Sequence, residues 1–115
     1  MRDSSTIDPQ TRTALAGFRA LLTRRYGARL RGVVLFGSRA RGDHRPDSDA
    51  DVAVFIADSD DPIREQMDIA DETYQVFLHD GLLIQPWVFK GSPEHPDTSH
   101  AANLLKAVQD EGVQL

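Results

Sequence analysis

The chain has 115 residues, 13 Lys and Arg against 18 Asp and Glu, a formal net charge of −5 and no cysteine. That length suits a single domain, residues 1–115, and the lack of cysteine excludes disulfides and thiolate metal sites. An apolar fraction of 40% argues against wholesale disorder, and the longest wholly apolar run, Val52 to Ala57, is too short to span a membrane. The start, Met1 to Ser5, is polar and lacks the apolar stretch of a secretion signal, so a cytoplasmic location is expected. Charge is unevenly placed: ten of the 13 cationic residues lie in residues 1–45, with three of the 18 acidic ones. The basic half reads as a solvated helix face. Overall acidity argues against nucleic acid as a direct ligand.

Asp8-Pro9 predicts a helix start, with the aspartate as N-cap and proline in the first turn. Leu15, Phe18, Leu22 and Tyr26 follow at helical spacing, and Gly27 ends the helix. Residues 32–36 predict a buried strand ending at the Gly37-Ser38 turn; residues 42–48 are loop, and Asp51 to Ala57 predicts a second strand. Asp61-Pro62 repeats the capping signal. Ile63, Met67, Ala70, Tyr74 and Phe77 then mark the inward face of one helix running to about His79. Leu82 to Phe89 predicts a third strand, with Pro86 favouring a sheet edge or a bulge. A last helix spans about Thr98 to Glu111, with Leu104, Leu105 and Val108 inward and Gly112 closing it. The order α-β-β-α-β-α predicts an α/β (α+β) fold, a small mixed sheet with helices packed against it. The first two strands should be antiparallel neighbours, and the helical crossover should make the second and third parallel.

The chemistry concentrates in Gly37-Ser38-Arg39-Ala40-Arg41-Gly42 and in Asp49-Ala50-Asp51. A Gly-Ser turn after an apolar strand offers backbone N–H groups to an anion. Asp49 and Asp51, at i and i+2, are expected on one side of the chain. At a separation of about 5 Å such a pair repels by roughly 3 kcal/mol at an effective dielectric of about 20, a conflict that a shared cation resolves. Spacing excludes a Walker loop, which needs Gly-Lys-Ser/Thr where Gly42 is followed by Asp43, and a dinucleotide fingerprint, which needs glycine where Arg39 stands. An EF-hand beginning at Asp47 fails at Val52 and Asp58. His44, His79, His95 and His100 lack metal-site spacing and read as surface residues, and Trp87 reads as core.

Residues 35–56, from Leu-Phe-Gly-Ser-Arg-Ala-Arg-Gly through Asp49-Ala50-Asp51 to Ile56, resemble the minimal nucleotidyltransferases of the DNA polymerase beta-like superfamily, as found in HEPN-paired toxin–antitoxin systems. The resemblance implies the polymerase beta-like nucleotidyltransferase fold and a reaction moving a nucleoside monophosphate, AMP from ATP, onto a hydroxyl. It implies catalytic and Mg²⁺-binding roles for Asp49 and Asp51, and triphosphate binding by Gly37, Ser38, Arg39 and Arg41. The implied partner is a HEPN-domain toxin silenced by the transfer. The chain is short for such an enzyme, so a partner or a homo-oligomer is expected to wall the site. Active relatives carry a third carboxylate on the third strand. Here that position falls on Gln85, with Asp80 at the strand entry as the nearest substitute. The alternative implied by Gln85 is a degraded, non-catalytic module that neutralises its partner by binding.

Overall fold

The computed structural model describes residues 7–99 and 101–115. Met1 to Ser5 and His100, both read above from sequence, lie outside the described residues. Helix α1 (Pro9–Tyr26) begins as expected: Asp8 accepts the Thr11 N–H at 3.1 Å and the Thr11 hydroxyl at 2.7 Å, and Gly27 caps the end. Its inward stripe is Thr11, Ala14, Leu15, Phe18, Leu22 and Tyr26. A short 3₁₀ turn leads into β1 (Leu30–Phe36), then the single-turn helix α2 (Ser38–Arg41) and β2 (Ala50–Ile56). After α3 (Pro62–Asp68) and α4 (Ala70–Asp80) come β3 (Ile84–Lys90), α5 (Ala102–Glu111) and the two-residue β4 (Val113–Gln114).

The four-stranded sheet runs β3-β2-β1-β4. β1 and β2 are antiparallel and β2 and β3 parallel, as their connections predict. One face carries Val33, Leu35, Val52, Val54, Ile56 and Val88 against α1 and α4. The other carries Val34, Phe36, Ala53, Phe55 and Phe89 against Leu105 and Val108 of α5. Phe55 and Phe89 stack with ring centroids 5.4 Å apart. β3 is an edge strand, where Pro86 forfeits no ladder bond on its open side. The Val88 N–H on that strand donates to the Gln66 side chain of α3 at 3.2 Å.

Four expectations are corrected. The helix after Asp61 is two helices, broken at the fully buried Ile69. Its predicted inward face is outside: Ile63 and Met67 are each 72% exposed, Tyr74 is 60% exposed, and Ala70 and Phe77 also face solvent. Ile69, Glu72 and Val76 turn inward instead, because Arg25 of α1 pairs with Glu72 at 3.1 Å and makes a carboxylate tolerable there. Finally, β4 is added to the predicted order; it pairs antiparallel with β1 through Val113–Leu35 and Gln114–Val34. His44 is also drawn in from the surface, its Nε2 lying 3.2 Å from Asp8. No helix among the described residues is long and apolar enough to cross a membrane.

The α1 cap generates a pH prediction. Burial alone would raise the Asp8 carboxyl, but the Thr11 side-chain and backbone bonds, with His44 and Arg39, outweigh it and hold it below its ordinary value. A carboxylate depressed by folding stabilises the native state above its unfolded pKa, and that contribution disappears as pH falls through the folded value. Asp8→Ala should therefore destabilise by about 1 kcal/mol near neutrality. In urea titrations the gap between variant and wild type should close as the solution is acidified below about pH 4.

Candidate active site

The site forms where β1 ends and β2 begins. Gly37 follows β1 with φ +78°, a conformation that side chains other than glycine rarely adopt. A Cβ there would stand 2.6 Å from Asp51 Oδ2, so the missing side chain is the space the carboxylate occupies. Asp51 pairs across the sheet with Phe36 and, on its other side, with Gln85 of β3. Asp49 stands exposed just before the strand, and its charge acts on Asp51. The structure thus brings Asp49, Asp51, Gly37 and the half-buried Ser38 together. Ser38 opens α2, where the first N–H groups of a helix have no carbonyl one turn back.

Burial pushes the Asp51 carboxyl above the usual carboxylate range. A hydrogen bond from Trp87 opposes the shift, the Asp49 charge adds to it, Arg41 opposes it and Glu111 adds again. Trp87 Nε1 donates to Asp51 Oδ1 at 3.4 Å. Trp87, expected in the core, packs half-buried against the core cluster under α5, and its indole N–H is aimed at the acid. The signal was available, since Trp87 lies two residues from Gln85 and so on the same face of β3. Glu111, at the end of α5, was not foreseen at all. Its Oε1 accepts the Gly37 N–H at 3.0 Å, and both its oxygens accept from Arg41 Nη1, at 3.0 and 2.9 Å.

The two arginines part company. Arg41 stays at the turn, bonded to Glu111 and, through Nε, to Asp43 at 3.2 Å. Arg39 is 3% exposed, and its guanidinium donates to the Ser48 and Pro46 carbonyls and to the Thr11 hydroxyl. It ties the 42–48 loop to α1, so its charge is committed to the fold. Gln85, in register beside Asp51, occupies the place where a third acid was sought. Asp80 ends α4 on the opposite face: its carbonyl accepts from Gln10 of α1 at 3.2 Å, and its carboxylate lies 3.2 Å from the His79 ring.

Two carboxylates beside a Gly-Ser bend supply hard oxygen donors, the kind a divalent cation such as Mg²⁺ takes one or two of while phosphate oxygens fill other positions. The raised Asp51 carboxyl fits that use, because burial and a like charge leave it short of positive compensation. Among the described residues, no group of three or more His, Asp and Glu converges as a metal cluster.

Gly37→Ala should destabilise the fold by roughly 1–3 kcal/mol, through the strained φ and displacement of Asp51, and denaturant melts measure it. Asp51→Asn relieves the charge conflict. It should raise the melting temperature of the free protein by roughly 2–4 °C, about what 0.5 kcal/mol produces in a domain of this size.

The sequence profile described as "Polymerase beta, Nucleotidyltransferase" matches residues 23–87, more than half of the chain and the whole of the site apart from Glu111. No curated protein matches the chain. Among solved structures, it is similar to a toxin–antitoxin complex with AMP-PNP, at 23% identity and a TM-score of 0.59, over 84% of this chain and 68% of that one. It is also similar to the MntA-HepT toxin–antitoxin, at 19% identity and a TM-score of 0.51, over 87% of this chain and 69% of that one. At these identities the structural likeness speaks for the fold, and the profile match for the lineage. The chain belongs to the polymerase beta nucleotidyltransferase family.

Proposed function

We propose that this protein is a Mg²⁺-dependent nucleotidyltransferase that moves AMP from ATP onto a hydroxyl of a HEPN-domain toxin and thereby acts as its antitoxin. The observation that carries this reading is the Asp51 carboxylate packed into the space left by Gly37, with Asp49 two residues before it. The similar toxin–antitoxin complex with AMP-PNP supports the choice of nucleotide and setting.

Asp49 and Asp51 would hold the cation, which when bound neutralises charge on the triphosphate as the α-phosphorus is attacked. The Ser38 N–H and hydroxyl would receive phosphate oxygens at the bend, while Gly37 keeps the acid and the turn in contact. Arg41 would contribute positive charge from the rim. The acceptor oxygen forms a bond to the α-phosphorus, the bond to the bridging oxygen breaks, and pyrophosphate leaves. The acceptor proton passes to solvent, because the neutral amide of Gln85 cannot take it.

A second reading, neutralisation by binding alone, is favoured by Gln85 and by exposed apolar side chains on α3, on α4 and before β3. Ile63, Met67, Tyr74, Leu78 and Leu83 are all more than half exposed, as expected of a surface covered by another protein. Those side chains also serve the first reading, since a protein acceptor must dock, and a docked partner or a second copy would wall the open site.

Labelled ATP, Mg²⁺ and a HEPN-domain partner test the proposal directly. Label should move to the partner, and the Asp49→Asn, Asp51→Asn double variant should lose at least about a thousandfold in rate while still forming the complex. Absence of label, with silencing retained by the double variant, establishes the binding reading instead. Gln85→Glu, which places a carboxylate in register beside Asp51, should raise the transfer rate about tenfold or more in the same assay.

A further inference from the structure

Glu111 has no part in the proposed chemistry, yet it makes three hydrogen bonds at the turn that chemistry uses. It is the last residue of α5, where a negative charge meets the negative end of the helix dipole and is disfavoured. Its carboxylate is compensated from the other end of the chain: the Gly37 N–H, 74 residues away in sequence, and Arg41 Nη1, 70 residues away, both donate to it. The mount behind it is stiff. A Cβ at Gly112 would collide with the Val108 carbonyl and with Val34 of β1, so the chain turns directly against the sheet. β4 then pairs with β1, and the Leu115 N–H donates to the Val33 carbonyl at 2.9 Å. Glu111 is therefore fixed to the strand that runs into Gly37, and it reaches past the strand's end to hold the turn.

We propose that Glu111 is a positioning residue for nucleotide binding: its carboxylate sets the Gly37-Ser38 turn through the Gly37 N–H and aims the Arg41 guanidinium at the phosphate site. This rests on the reading that the turn receives a triphosphate. Arg41 carries two anionic partners, Asp43 on Nε and Glu111 on Nη1, which fix its plane. A guanidinium held in that way enters the complex without first being ordered, and the turn is already in the shape the phosphate needs. Glu111 touches neither nucleotide nor acceptor; it acts through Gly37 and Arg41.

The test is calorimetric titration of ATP with Mg²⁺ into wild type, Glu111→Gln, Arg41→Ala and the double variant, each with a thermal melt. Glu111→Gln keeps an oxygen for the Gly37 N–H and loses the ionic bond to Arg41. It should weaken ATP about tenfold with little change in melting temperature, and in the labelled-ATP transfer assay its kcat should fall less than its KM rises. Arg41→Ala should show a similar loss, and the double variant should be no weaker than the worse single one, since both act through one contact. ATP affinity unchanged or tighter in Glu111→Gln overturns the inference, as do fully additive losses in the double variant. If Glu111→Gln fails to fold, Arg41→Ala with wild-type affinity overturns it alone. Wild-type protein that takes up no ATP overturns the nucleotidyltransferase reading, and this inference with it.

Discussion

Gly37 and Asp51 are in contact because one of them has no side chain. That approach lets the Asp51 carboxylate lie directly against the bend, next to the end of the β1–β2 ladder. The antiparallel pairing of the two strands brings the bend and the acid together. The parallel pairing of β2 with β3 puts Gln85 and then Trp87 on the same face, next to the acid. The resulting carboxylate is half-buried, shares its surroundings with two other acids and has a raised affinity for protons. The conflict makes Asp51 the group of the candidate site most in want of a compensating positive charge.

The fold around that contact is assembled from short, locally specified pieces. Proline-led helices with aspartate caps begin both α1 and α3. Ionic and polar side chains do the remaining joining. Arg39 ties the loop before Asp49 to α1, Arg25 and Glu72 tie α1 to α4, and Tyr26 donates to Glu65 of α3 at 2.8 Å. The basic front of the chain is thus partly spent inside the molecule, meeting the acidic back half. Part of the uneven charge distribution along the chain is compensated by pairing between its two halves.

Much of this was legible from the residues. The bend after β1, the strand directions and the place of Gln85 near that bend follow from local spacing and from the length of connections, and of the edge or bulge that Pro86 allowed, the structure shows the edge. What escaped depended on partners distant in sequence. Arg39 looks like a phosphate ligand until Thr11 and the Ser48 carbonyl are seen around it. Glu72 looks like a surface residue until Arg25 reaches it, and the apolar stripe from Ile63 to Phe77 is then turned to solvent. β4 is too short to carry a period, and Glu111 gains its meaning only from a turn more than seventy residues earlier. Trp87 does pack against the core cluster under α5, as expected, but its single N–H also turns to Asp51, which the sequence did not show.

The guarded rim of β3 has a consequence for assembly. Pro86 has no amide proton to offer, and the amide proton of Val88 is already taken by Gln66. That border therefore offers an incoming strand two fewer amide donors, which weakens it as a place to extend the sheet. The apolar side chains left outside the sheet's cover lie instead on the helices, Ile63 and Met67 on α3 and Tyr74 and Leu78 on α4.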